Sequence, residues 1–213
     1  MNDDVKVVKL PKPEINIKFE HIKQFSFMYG ELPINFVDEA NQYFDINVIV
    51  NKDDDVPKAL TNILKNATQT YLSLYSDQIP LSLKNDQIVS IPVDSSEMKI
   101  MEINEKTYTH PINGDTDFSK RQILISSLLF LKVPSDFDEK KINDLDGKIY
   151  FNWGANSMAD VLMTKPKQDK LMTPVVGRFV IFPSWIPWQP LPFSGDESLR
   201  ILSSKFTVHY TKG

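Results

Sequence analysis

Residues 177–200 read GRFVIFPSWIPWQPLPFSGDESLR. An apolar run, RFVIF, enters an aromatic and proline-rich turn, and the chain leaves it towards a second run that opens on Arg200. Strand, turn and strand of this kind form the wall and mouth of a β-sandwich or barrel. A metal-binding mouth would carry a histidine in the turn; this turn carries Trp185 and Trp188.

Working outward, short β-type runs occur at 87–93, 98–103, 122–133, 148–153, 177–182 and 200–210, separated by clusters of Gly, Pro, Asn and Asp. The half before them is helical. Residues 32–44 carry Leu32, Phe36, Ala40 and Tyr43 at helical spacing, with Pro33 suited to a first turn. A second helix follows Asp54 or Asp55 as cap and Pro57 as first-turn residue. Its apolar stripe is Val56, Leu60, Ile63, Leu64, Ala67, Tyr71 and Leu74. Upstream, Pro11 and Pro13 break any helix, while VKVVKL and INIKFEHI favour short extended pieces.

Helices first and strands afterwards predict an α+β chain with the helices packed on one outer face of the β unit. The 213 residues suit a single domain, 1–213, with a mixed N-terminal part over 1–80 and a β core over 81–213. The mixed-sign stretch SDFDEKK, 135–141, reads as a surface excursion. Lys165, Lys167 and Lys170 beside Asp169 read as a solvated loop.

Composition narrows the chemistry. Apolar residues make up 41%, including 13 Phe, enough for a sizeable core. A net charge of −4 offers no electrostatic basis for nucleic-acid binding. The chain has no cysteine, which excludes disulfides, thiolate metal sites and a cysteine nucleophile. No apolar run reaches the roughly 20 residues of a membrane span, and MNDDVKVVKL lacks the core of a secretory signal. A soluble protein made in a cytoplasm is the expectation.

The histidines are His21, His110 and His209. No G-x-S-x-G, P-loop or dinucleotide fingerprint occurs, and seven glycines are scattered without those spacings. His110, in YTHPINGDTDF with Asp115 and Asp117 close by, is the one candidate metal ligand among them. The preferred reading is a loop histidine beside the turn of Pro111, Asn113 and Gly114.

ILISSLLFLKVP (123–134), DGKIYF (146–151) and the 177–200 stretch together resemble the 2-oxoglutarate/Fe(II)-dependent oxygenases common in tailed-phage genomes. ELPINFVDEANQYF (31–44) is similar to that family's N-terminal region. The resemblance implies a double-stranded β-helix, jelly-roll or cupin-like, with two facing sheets and an open mouth. In the family the mouth holds Fe(II) through two histidines and a carboxylate. An arginine there pairs with the far carboxylate of 2-oxoglutarate.

Carried over residue by residue, the distal histidine falls at Trp188 and the earlier ligands in DFSKRQIL, where Lys120 and Gln122 stand. An indole N–H only donates and an ammonium has no lone pair, so neither holds a metal. His209 lies nine residues beyond Arg200, about 30 Å along a strand and too far to rejoin the site. Arg200 alone matches, as partner of the 2-oxoglutarate carboxylate. Trp185 is implied in the barrel wall, and Trp188 as a plug of the cavity or an exposed partner anchor.

The resulting expectation is a degenerate family member with no catalytic residue, no metal ligand and no cofactor, leaning away from an enzyme. Its role would be structural or in assembly, within a phage virion, with phage structural proteins as partners and neither nucleic acid nor membrane. The alternative is an active hydroxylase using Fe(II) and 2-oxoglutarate through relocated ligands. A sugar- or small-molecule-binding module using the same cavity is the third reading.

Overall fold

The computed structural model describes residues 16–22, 25–47, 57–75, 93–104, 123–135, 137, 146–153 and 169–208. The ILISS run that guided the reading becomes β4 (Ile123–Lys132), a central strand. Its near-continuous apolar character follows from being covered on both faces. Ile125, Leu129 and Leu131 join one core cluster, and Leu128 and Phe130 join another, as period-two alternation requires.

Six strands form the large antiparallel sheet. In chain order they are β1 (Asn16–Ile22), β2 (Phe25–Glu31), β3 (Val93–Ile103), β4, β7 (Arg178–Pro183) and β9 (Leu199–Val208). Their spatial order is β1-β2-β7-β4-β9-β3. A smaller sheet, in the order β6-β5-β8, is made of β5 (Ile149–Asn152), β6 (Asp169–Met172) and β8 (Trp188–Pro190). It stacks on one face of the large sheet, with Phe151 edge-on to Phe27 and to Phe182 at ring separations of 5.1 Å each. The helices α1 (Ile34–Asn47) and α2 (Lys58–Tyr75) cover the other face. The result is a β-sandwich of jelly-roll type with two helices on its outer side.

Both helices begin directly after their proline, α1 two positions later than the expected start at residue 32. The Pro33 carbonyl accepts from the Phe36 and Val37 amides at 3.0 and 3.2 Å, and the Pro57 carbonyl from Leu60 and Thr61 at 2.8 and 3.1 Å. Each proline is thus the flanking residue whose carbonyl opens the helix. On α2 the stripe Leu60, Leu64, Ala67 and Tyr71 is buried, joined by Leu72 and Thr68. The Thr68 hydroxyl donates to the Leu64 carbonyl at 2.9 Å. Asp54, Asp55 and Val56 lie outside the described residues.

Gly177 is the joint between these layers. Its amide donates to the Phe130 carbonyl and its own carbonyl accepts from Leu32, both at 2.8 Å. Its φ is +81°, and a Cβ would stand 2.7 Å from the Leu32 carbonyl oxygen. Only glycine meets both demands.

Two expectations change. The extended pieces of the N-terminal part pair as β1 and β2 and complete the large sheet, so the β core draws on residues before 81. Asp169 and Lys170 stand in β6 rather than in a solvated loop, because Phe151 of β5 supplies the pairing partner for Lys170. Residues 87–92 and 209–210 of the expected strands lie outside the described residues. No helix among the described residues is long and apolar enough to cross a membrane.

Candidate functional site

One row of side chains crosses the face of the large sheet that looks towards the small one. Glu20 pairs with Phe27, Phe182 with Ser126, Ser126 with Lys205, and Lys205 with Glu97. The Phe27 and Phe182 rings, on neighbouring strands, lie 6.1 Å apart and close the row. Cross-strand partners share a face, so the row runs acid, aromatic, aromatic, hydroxyl, cation, acid.

Its β1–β2 end is shut. Phe27 and Phe182 are fully buried beneath the small sheet. Lys170 of β6 reaches across to Glu20, with both carboxylate oxygens at 2.5–2.7 Å. Its ammonium lies 5.8 Å from the centroids of Phe27 and Tyr29. The Tyr29 hydroxyl donates to Glu20 Oε2 at 3.1 Å. Burial first, then the Glu20 charge and this hydrogen bond, push the Tyr29 hydroxyl far above its ordinary pKa, and it stays protonated.

The β9–β3 end is more open and polar. Lys205 pairs with Glu97 at 3.0 Å, with side-chain exposures of 20% and 48%. Ser203 is half-buried, and Lys99, opposite it on β3, is exposed. At the β4 border the Ser126 and Ser184 hydroxyls share a hydrogen bond of 2.8 Å. This more exposed stretch of the face, the trough, sets the Lys205 ammonium beside the half-buried Ser203, a setting that receives carboxylates. Lys205, Ser126 and Ser184 carried no weight in the sequence reading. The alternation within LRILSSKFTV would have aimed Ser203 and Lys205 at one face, but which face depends on the register.

Arg200, assigned by resemblance to 2-oxoglutarate, is on the opposite, helix-covered face. Its Nε donates to Glu102 at 2.7 Å, Nη1 to Asn41 at 3.0 Å, and Nη2 pairs with Asp45 at 2.7 Å. Burial alone would lower its pKa; the bonds and charges of Glu102 and Asp45 outweigh that and raise it. Asn41 also donates to the Leu131 carbonyl at 2.7 Å, tying α1 to the end of β4.

Trp185 is 41% exposed in the β7–β8 turn, not part of the wall. Trp188 is 4% exposed and packs between the sheets, which matches a plug and removes the exposed-anchor reading. The swap follows from β8: pairing of Trp188 with Phe151 turns the second indole inward. His21 stands on β1 opposite Ser26. His110, Lys120, Gln122 and His209 lie outside the described residues. Among the described residues no group of three or more His, Cys, Asp or Glu side chains is placed to hold a metal.

No protein-family model matches this chain, and no curated protein matches it. Solved structures do. HygX from Streptomyces hygroscopicus, with nickel and 2-oxoglutarate bound, is 11% identical, with 86% of this chain and 82% of that chain covered and a TM-score of 0.50. A Pseudomonas putida prolyl-4-hydroxylase is 16% identical, with 84% and 83% covered and a TM-score of 0.49. HygX with iron bound gives 10%, 86%, 82% and 0.49. The likeness to HygX establishes a shared fold. The expectation of no cofactor is corrected by the same structure, because HygX holds nickel and 2-oxoglutarate.

Proposed function

We propose that this chain is a double-stranded β-helix of the 2-oxoglutarate oxygenase type whose trough over β4, β9 and β3 takes 2-oxoglutarate or a similar small dicarboxylate. Lys205 carries this reading. It is the β9 cation that strand alternation aims into the space between the sheets, beside Ser126 in the same row. It is held by a half-exposed carboxylate that a ligand carboxylate would replace. Exchange of one carboxylate for another keeps the ammonium paired throughout, and the displaced Glu97 is half-exposed and passes to water.

The fit differs for the two groups that HygX holds. A dicarboxylate finds the Lys205 cation and the half-buried Ser203 hydroxyl here. A metal finds no ligand set among the described residues, and Trp188, at the position matched to a family ligand, is core. No chemical step is derived through a metal, and the role proposed is binding. Such a role suits a component of an assembly, with a virion as the first place to look. Fixed copy number in purified particles is the check.

Calorimetric titration with 2-oxoglutarate tests the proposal. Saturable binding that is lost in Lys205→Ala is expected; heat no greater than dilution with the parent chain would sink it. Succinate and carbon dioxide formed from 2-oxoglutarate on adding Fe(II) and oxygen would replace simple binding with oxidative decarboxylation.

A further inference from the structure

On the helix-covered face of the large sheet, Ser127 of β4 stands directly opposite Ser204 of β9. Their exposures are 0% and 1%, and neither hydroxyl oxygen has a hydrogen-bond partner among the described residues. By contrast, the buried Thr68 hydroxyl on α2 is satisfied by the Leu64 carbonyl. Two unmet hydroxyls side by side in an apolar layer are a costly arrangement, and each such group in a folded chain calls for a partner.

The neighbouring rows of the same face carry large side chains. Ile125 stands opposite Phe206, and Leu129 lies between Phe179 and Leu202. All are buried in the core shared with the helices. Between these rows the Ser127–Ser204 pair sets two short side chains, flanked in the same row by Ile181 on β7 and Met98 on β3. Directly opposed Cβ atoms on antiparallel strands stand about 4.5–5.5 Å apart. A water molecule above such a pair accepts from one hydroxyl and donates to the other.

We propose that Ser127 and Ser204 together hold one buried water molecule between the large sheet and its helices. The water satisfies both hydroxyls, which are the two polar partners that a buried water requires. The site is independent of the trough, which lies on the other face of the same strands.

A crystal structure of the parent chain, with thermal unfolding of Ser127→Ala, Ser204→Ala and the double variant, decides the matter. The crystal structure is expected to show a water within hydrogen-bond reach of both hydroxyls. Each single variant should melt below the parent, and the double should lose less than the sum, since one water serves both residues. A direct bond between the two hydroxyls without water would overturn the proposal. So would higher melting temperatures for both single variants, the result for hydroxyls that are buried dry and unpaired.

Discussion

Arg200 of β9 and Glu102 of β3 face each other across the strand pair, joined by a bond of 2.7 Å on the side of the sheet that α1 covers. Asp45, one turn beyond Asn41 on α1, completes the grip at 2.7 Å. The guanidinium therefore clamps a helix to two strands. Replacing Arg200 with Met should cost about 1–3 kcal/mol in urea unfolding, below the value for a fully buried pair because both carboxylates are partly exposed. Dicarboxylate affinity in the trough should stay unchanged, and a parallel loss of both would contradict the assignment of faces.

Lys205 should behave in the opposite way. Lys205→Ala removes the trough's ammonium and leaves the half-exposed Glu97 to water. Stability should shift by less than about 1 kcal/mol, while 2-oxoglutarate affinity falls at least about tenfold, the loss of one charge-assisted bond. Calorimetry beside a melting curve separates the two effects.

Trp188 is a core residue, whatever its position matches elsewhere. Trp188→Ala should destabilise the fold by about 3–5 kcal/mol, the range for deleting a buried indole. Trp188→Phe should lose distinctly less. Equal losses for the two would mean that the indole does not fill the inter-sheet core.

The Tyr29 hydroxyl has a folded pKa raised above its unfolded value of 10.0. The folded state thus holds the proton more tightly, so this stability is fully present below about pH 10 and is lost as pH rises beyond it. Melting temperature should fall on the alkaline side of that point. Tyr29→Phe should flatten the decline, and an unchanged slope would remove Tyr29 as its source.

Gly177→Ala places a methyl group against the Leu32 carbonyl at a backbone angle that only glycine adopts freely. A loss of about 1–3 kcal/mol is expected by chemical denaturation. A neutral result would mean that the turn can move away from β2.

Much of this architecture is legible in one dimension. Apolar spacing in α2, prolines at both helix starts and the uninterrupted run of β4 report local geometry, because side-chain periodicity is set by the backbone itself. The short strands β6 and β8 are not legible: at four and three residues they exist through their pairing with β5. The same limit governed the site. An arginine, a lysine and two indoles could be found in the sequence, but not which way each would point.

That direction belongs to tertiary structure. A one-residue change in register exchanges the two faces of a strand. In β9 the pairing with β3 and β4 sends Arg200 to the helices and Lys205 to the trough; in β8 pairing with β5 sends Trp188 into the core. The sequence by itself determined the elements and the inventory of charges. The pairing of strands distant in the chain decided which charge meets the space between the sheets.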